Sequence, residues 1–187
     1  MPYGFLDTLA TPSVKAAQAD NGVLAQWERF SGDRTFDAFT EAEAAFIAER
    51  DSFYIATAGE TGWPYVQHRG GPRGFLKLLD ERTLAFADFA GNRQYISTGN
   101  LADNPRAFIF LMDYTSRRRI KIWGRARVVR DDAELTTRLF PAGYAARTEQ
   151  AIVFDLAAWD VNCQQHIHRR FSEREVAPVI GGWTTAS

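Results

Sequence analysis

Cysteine occurs once in 187 residues, at Cys163. No internal disulfide can form, and the sparse usage suits a reducing compartment. The amino terminus lacks a basic stretch followed by an apolar one, the mark of a secretory leader. A cytoplasmic location is the expectation. No apolar run approaches the ~20 residues of a membrane-spanning helix; the longest obvious one covers residues 108–112. Charge of one sign is also missing, since 22 Lys and Arg nearly cancel 23 Asp and Glu. No overall field draws the chain to nucleic acid or anionic lipid. The sequence has no Gly-x-Ser-x-Gly elbow for a serine hydrolase. Cys163, His166 and His168 fit no standard zinc spacing and have no obvious fourth ligand, so no metal site is expected.

Apolar residues make up 45% of the chain, enough for one substantial core, and residues 1–187 read as a single domain. Within it, residues 1–38 form a helical extension and 159–187 a tail. Val14, Ala17, Leu24, Trp27 and Phe30 stand at loosely helical spacing around Asn21-Gly22. Thr40 with Glu43 is a capping box for a helix through Phe46 and Ile47 to about Arg50. Residues 53–58 and 63–69 flank Gly59-Glu60-Thr61-Gly62 as a hairpin. Extended patterns return at 75–79 and 83–89, and a short helix, with Asn92 at its N-cap, ends before Asn104-Pro105.

Residues 108–112 read as a strand buried on both sides. In the next strand Ile120, Ile122, Gly124, Ala126 and Val128 share a core face opposite Arg119, Lys121, Trp123, Arg125 and Arg127. Near-neutral net charge favours a solvated outer face there over a single-stranded nucleic-acid platform. Asp131 and Glu134 frame a helix to Leu139, residues 151–156 form a last strand, and 164–175 read as helical. Six or more strands with few long helices give a mainly β fold, a closed or nearly closed barrel with attached helices.

Three stretches carry candidate chemistry. Gly91-Asn92-Arg93-Gln94 opens a helix, offering backbone N–H groups and a guanidinium fork to an anion. An ordinary capped helix with a solvated arginine reads the same way. In Gly70-Gly71-Pro72-Arg73-Gly74, glycines allow close approach of a flat heterocycle held by Arg73 and Lys77, and a β-bulge fits equally well. Trp159 through Phe171 combines an indole, His166, His168, Arg169 and Arg170, either to cover a ring and grip anions or as a surface helix.

The order of these runs resembles the pyridoxamine 5'-phosphate oxidase family. The runs are Pro72-Arg73-Gly74-Phe75-Leu76-Lys77, Phe86 to Gln94, Asn104-Pro105-Arg106, and Arg118 to Ala126, with Trp159 and Arg170-Phe171 matching the family's tail. The likeness covers about residues 46–171 and is nearest to a flavin-nucleotide-binding branch sharing Gly-Pro-Arg-Gly-Phe-Leu-Lys and Ala-Trp-Asp-x-Asn-Cys.

The resemblance implies an FMN-binding split barrel of antiparallel strands, working as a homodimer with FMN at the subunit interface. Arg93 and Gln94, beside Asn92, would hold the phosphate. Arg73, Gly74, Phe75, Leu76, Lys77 and Asp88 would line the ring or ribityl chain, Lys77 and Arg119 would tune the flavin, and Trp159 and Arg170 would reach over from the partner. Pro72, Gln94 and Arg119 stand where the oxidases have arginine, lysine and glutamine. His68, Arg69 or Arg73 would take over from the missing arginine. Only Tyr144 and Arg147 remain of the substrate-phosphate helix, so a small-molecule substrate other than pyridoxine 5'-phosphate is implied. The resulting expectation is an FMN-dependent oxidoreductase with unassigned catalytic residues, His166 or His168 serving for protons. Its alternative is a carrier that holds FMN, haem or a deazaflavin without turnover.

Overall fold

The computed structural model describes residues 4–29, 37–161 and 164–180. Short helices α1 (Gly4–Leu9), α2 (Pro12–Asp20) and α3 (Leu24–Glu28) come first, then α4 (Glu41–Ala48). The strands are β1 (Ser52–Ala58), β2 (Pro64–Gly70), β3 (Lys77–Asp80), β4 (Thr83–Phe89), β5 (Arg106–Asp113), β6 (Arg118–Val129) and β7 (Thr148–Val161). Helix α5 (Ile96–Asp103) joins β4 to β5, α6 (Ala133–Leu139) joins β6 to β7, and α7 (Glu173–Ile180) follows. No helix among the described residues is long and apolar enough to cross a membrane.

The capping box forms as the sequence predicts. Thr40 Oγ1 accepts the Ala42 N–H at 3.3 Å, and the Glu43 carboxylate accepts the Thr40 N–H at 3.1 Å. Helix α4 then buries Phe46 and Ile47. The expected hairpin also forms: Gly62 has φ +74° and donates its N–H to Gly59 O, which sets Ala58 opposite Pro64.

The seven strands form one antiparallel sheet in the order β2-β1-β5-β6-β7-β4-β3. Three strands separate β1 from β4 in that order, yet Phe53 of β1 meets Phe86 of β4 edge-on at 5.0 Å. The sheet therefore curls around its own side chains, with Ile55, Phe75, Leu84, Ile109, Ile122 and Phe154 in the interior. Gly124 permits the tightest crossing. A Cβ there would lie 2.2 Å from Asp155 O and 2.3 Å from the Phe154 ring, at the bulge where β6 and β7 shift register.

Strand β5 departs from the expectation of burial on both sides. Ala107, Ile109 and Leu111 are buried, while Phe108, Phe110 and Met112 are half-exposed on the outer face. Cross-strand pairing sets Phe108 beside Ala56 and Trp123, and Phe110 beside Tyr54. The outer face is thus apolar over β1 and β5 as well as polar on β6. Two of its cations are paired: Lys121 with Asp160 and Arg127 with Asp155, each at 2.6 Å.

Other differences are local. Asp132, rather than Asp131, caps α6 by accepting the Leu135 N–H. Strand β7 runs on to Val161, and among the described residues the next helix begins at Glu173, so most of the expected tail helix is irregular chain. Helices α2 and α3 divide at Gly22 (φ +69°) and bury no residue, as a helix outside the core should; Phe30 lies outside the described residues.

Candidate functional site

Alternation along β2 turns Tyr65, Gln67 and Arg69 to the same side of the strand. The sheet's curl brings that side to β4, where the Arg69 guanidinium lies 2.7 Å from the buried Asp88. The carboxylate also accepts the Gln150 side-chain N–H at 2.9 Å, and the same amide reaches Thr98 Oγ1 at 2.8 Å. Asp88 and Gln150 face each other in the β4–β7 register, so backbone pairing fixes the contact. Gln67 accepts from the Tyr65 and Ser97 hydroxyls.

Above this polar floor the chain leaves β4 in a tight loop. Arg93 (φ +57°) and Tyr95 (φ +53°) both adopt left-handed backbone, which costs a non-glycine residue free energy and concentrates at functional positions. Asn92 Oδ1 accepts the Gln94 N–H at 3.2 Å, an Asx turn. Asn92 is therefore not the helix cap: α5 starts at Ile96, with Tyr95 in the capping position and no side-chain cap bond.

Glu149 at the start of β7 ties the loop down. Tyr95 donates its hydroxyl to Glu149 Oε2 at 3.0 Å, Arg147 reaches Oε1 at 2.9 Å, and Arg93 Nε stands 3.9 Å from the same oxygen. The Tyr95 hydroxyl, and beyond it Glu149, hold the Arg93 guanidinium still more firmly charged than usual. Its side chain nonetheless remains 67% exposed.

These residues enclose a niche of about 40 Å³ lined by Gln67, Arg69, Asp88, Asn92, Arg93 and Ser97, among others. That is room for about three water-sized groups. A groove of about 500 Å³ shares Arg93, Tyr95, Thr98 and Glu149 with it and adds Arg130 and Arg147. Three buried polar side-chain atoms at these walls, Arg69 Nε, Asp88 Oδ1 and Thr148 Oγ1, have no hydrogen-bond partner among the described residues, although Asp88 Oδ1 is ion-paired with Arg69 at 2.7 Å. Arg69 Nε and Thr148 Oγ1 can donate, as an anion requires.

Of the residues expected from sequence, Arg69, Asp88, Asn92 and Arg93 meet at the niche, with Gln94 in the same loop. Arg73 and Arg170 come together elsewhere, in a cleft of about 690 Å³ with Tyr54 and Tyr114. There Arg73 pairs with Glu49 at 3.2 Å and Arg170 lies over the Tyr114 ring at 4.8 Å. Phe75 and Leu76 are core residues, and Lys77 Nζ is 3.5 Å from Gly74 O.

The glycines before β3 serve the chain's own packing. A Cβ on Gly71 would lie 2.7 Å from the Phe75 ring, and one on Gly74 (φ +73°) 3.2 Å from Ala48 O. His68 points to the outer face, edge-on to Tyr54, and Arg119 is on the same outer side of the sheet opposite Met112, its Nε buried without a partner. Trp159 corrects an expectation. It is a strand residue, 6% exposed, stacked on Phe39 with its indole N–H donating to Ala38 O at 2.9 Å, and so belongs to its own chain's core rather than to a tail covering a partner.

Sequence reasoning missed Gln67, Tyr95, Ser97, Thr98, Thr148, Glu149 and Gln150 as site residues. One signal was present: Thr148-Glu149-Gln150 sets three polar residues directly before the apolar run Ala151-Ile152-Val153-Phe154.

The fold recurs in solved structures of low sequence identity. HupZ of Group A Streptococcus superposes with a TM-score of 0.55 at 13% identity, covering 71% of this chain and 100% of that one. An FMN-binding protein from Syntrophomonas wolfei subsp. wolfei gives 0.51 at 14% identity, covering 76% and 96%. A candidate pyridoxamine 5'-phosphate oxidase from Lactobacillus delbrueckii gives 0.52 at 18% identity, covering 67% and 96%. No curated protein matches the chain. The family model described as pyridoxamine 5'-phosphate oxidase matches residues 39–164, from the residue under Trp159 to just past β7 and so including every wall of the niche. The chain belongs to the pyridoxamine 5'-phosphate oxidase family.

Proposed function

We propose that the chain binds FMN by its phosphate in the niche at Arg93 and acts as an FMN-dependent oxidoreductase. The observation that carries this reading is the meeting of an exposed guanidinium, Arg93, with the buried Arg69 Nε at the small niche, beside a groove that adds Thr148 Oγ1, both of these atoms being donors without a hydrogen-bond partner among the described residues. The donor set fits a phosphate: guanidinium forks, a hydroxyl and an Asx-turn loop offer hydrogen atoms, and Arg69, Arg93, Arg130 and Arg147 outnumber Asp88 and Glu149.

When bound, FMN supplies electron or hydride transfer. The chain's own residues orient it. Arg69, fixed by Asp88, and Arg93, carried by the Asn92–Gln94 turn, would supply its donors.

A second copy of the chain fits the reading. With the phosphate in the niche, a ring outside it needs another wall, and the outer face around Tyr54, Val66, Phe108 and Phe110 leaves apolar surface half-covered or exposed. A substrate other than pyridoxine 5'-phosphate is supported by the loss of all but Tyr144 and Arg147 of the family's substrate-phosphate helix.

The visible spectrum of the purified protein tests the reading directly. Bound oxidised flavin that bleaches with a reduced nicotinamide, but not with pyridoxine 5'-phosphate, and recovers in air is the expected result. A flavin that never changes redox state in any turnover marks a carrier, and a protein that takes up no flavin removes the proposal.

A further inference from the structure

We propose that Glu149 is an affinity- and specificity-determining residue, a resident counter-ion that holds the niche's guanidinium donors and so limits how tightly a phosphate is retained. The inference rests on the phosphate reading of the niche and adds what sets its strength.

The geometry is that of an occupied anion site. Glu149 Oε1 is 2.9 Å from an Arg147 guanidinium nitrogen and 3.9 Å from Arg93 Nε, while Oε2 accepts the Tyr95 hydroxyl at 3.0 Å. Its side chain is 17% exposed, whereas those of Arg93 and Arg147 are 67% and 71% exposed. The carboxylate is sunk between two cations that project outward past it. Asp88, the other acid of the niche, is committed to Arg69 and Gln150 on the floor and competes for neither outer arginine.

An entering phosphate has two courses. It takes Arg93 and Arg147 for itself, leaving Glu149 partly desolvated with only the Tyr95 hydroxyl, or it shares them at close range with a like charge. Both oppose binding. Tyr95 adds a linkage, because its bond to Glu149 fastens the left-handed loop to β7 and keeps Arg93 beside the carboxylate. The ligand class that best overcomes such a counter-ion is a phosphate monoester, whose charge near neutral pH is about −1.5 to −2 against the carboxylate's single charge. A neutral alcohol gains nothing from displacing it. With Glu149 present, FMN therefore binds as an exchangeable ligand, and its preference over riboflavin is smaller than the arginines alone would give.

The test compares FMN with riboflavin, which lacks only the phosphate, by flavin-fluorescence titration of the wild type, Glu149→Gln, Glu149→Met and Arg93→Ala. Glutamine keeps the hydrogen bonds without the charge, and methionine keeps the volume without either. Both Glu149 variants should lower the Kd for FMN about fivefold or more and leave riboflavin within about twofold. Arg93→Ala should raise the Kd for FMN.

Unchanged or weaker FMN binding in both Glu149 variants, with native melting curves, would overturn the role of Glu149 while the loss in Arg93→Ala upheld the niche. Equal tightening of riboflavin would also overturn it, as a packing effect. An FMN-to-riboflavin ratio untouched by Arg93→Ala would remove the niche itself, and the counter-ion with it.

Discussion

Arg69 and Asp88 approach to 2.7 Å from β2, at one end of the sheet order, and β4, next to the last strand at the other, and so fasten the curled sheet at the floor of the niche. Both side chains are largely buried. Asp88→Ala leaves a guanidinium without its counter-charge and removes one of the two acceptors of the Gln150 amide. A loss of about 3 kcal/mol is expected in urea unfolding, with weaker FMN binding. Replacing the pair together by Met and Leu should cost less than Asp88→Ala alone, because no unpaired charge remains.

Arg93 lies outside the core, so its removal should separate binding from stability. Arg93→Ala is expected to raise the Kd for FMN about tenfold or more and to leave the melting temperature essentially unchanged. Titration alongside a thermal melt reads both.

Gly124 is a packing requirement where β6 crosses β7. Gly124→Ala forces a methyl group against the Asp155 carbonyl and the Phe154 ring, contacts that backbone cannot relieve without shifting a strand. The expected cost is about 3 kcal/mol, measured by chemical denaturation, with Gly22→Ala for comparison because nothing lies within 4 Å of a Cβ there and only its φ of +69° opposes the change.

Asp113 links stability to acid. Burial opposes its ionisation, but hydrogen bonds from the Ser116 hydroxyl and N–H, with the Arg50 guanidinium at 3.3 Å, outweigh it and hold its carboxyl below the usual 3.8. A depressed folded-state value stabilises the fold above the unfolded value, and that contribution is lost as pH falls through the folded one. Unfolding midpoints should therefore drop as pH decreases below about 4, and Ser116→Ala should flatten that dependence while lowering stability at neutral pH.

Much of the fold was legible because its signals are local. Thr40 with Glu43 capped a helix, Gly59 to Gly62 turned a hairpin, and the alternation from Ile120 to Ala126 gave the buried face of β6. The site was legible only where it lies along one segment: Asp88, Asn92 and Arg93 are close in sequence, and Arg69 lies three residues before Pro72, which stands where the oxidases have an arginine. Glu149 and Gln150 are some 55 residues further on and reach the loop only through the β4–β7 register, which no local pattern encodes. Trp159 was misplaced for a related reason. The polar residues around it look like a tail, and only its partners Phe39 and Ala38, far away in the chain, make it a core residue.

Val66 tests the second copy. It is 59% exposed on the outer face of edge strand β2, where an isolated chain gains nothing from an apolar side chain. Val66→Lys should weaken self-association about tenfold or more in sedimentation experiments and leave the unfolding of the monomer unchanged.

Because β2 and β3 end the sheet without pairing to each other, the barrel has a seam held by side chains where every other join is a ladder of amides. Such a seam is the natural place for the molecule to breathe. A shell that parts along the line where Arg69 meets Asp88 admits solvent to the niche while β5, β6 and β7 keep their ladders, so opening there need not unravel the body of the protein.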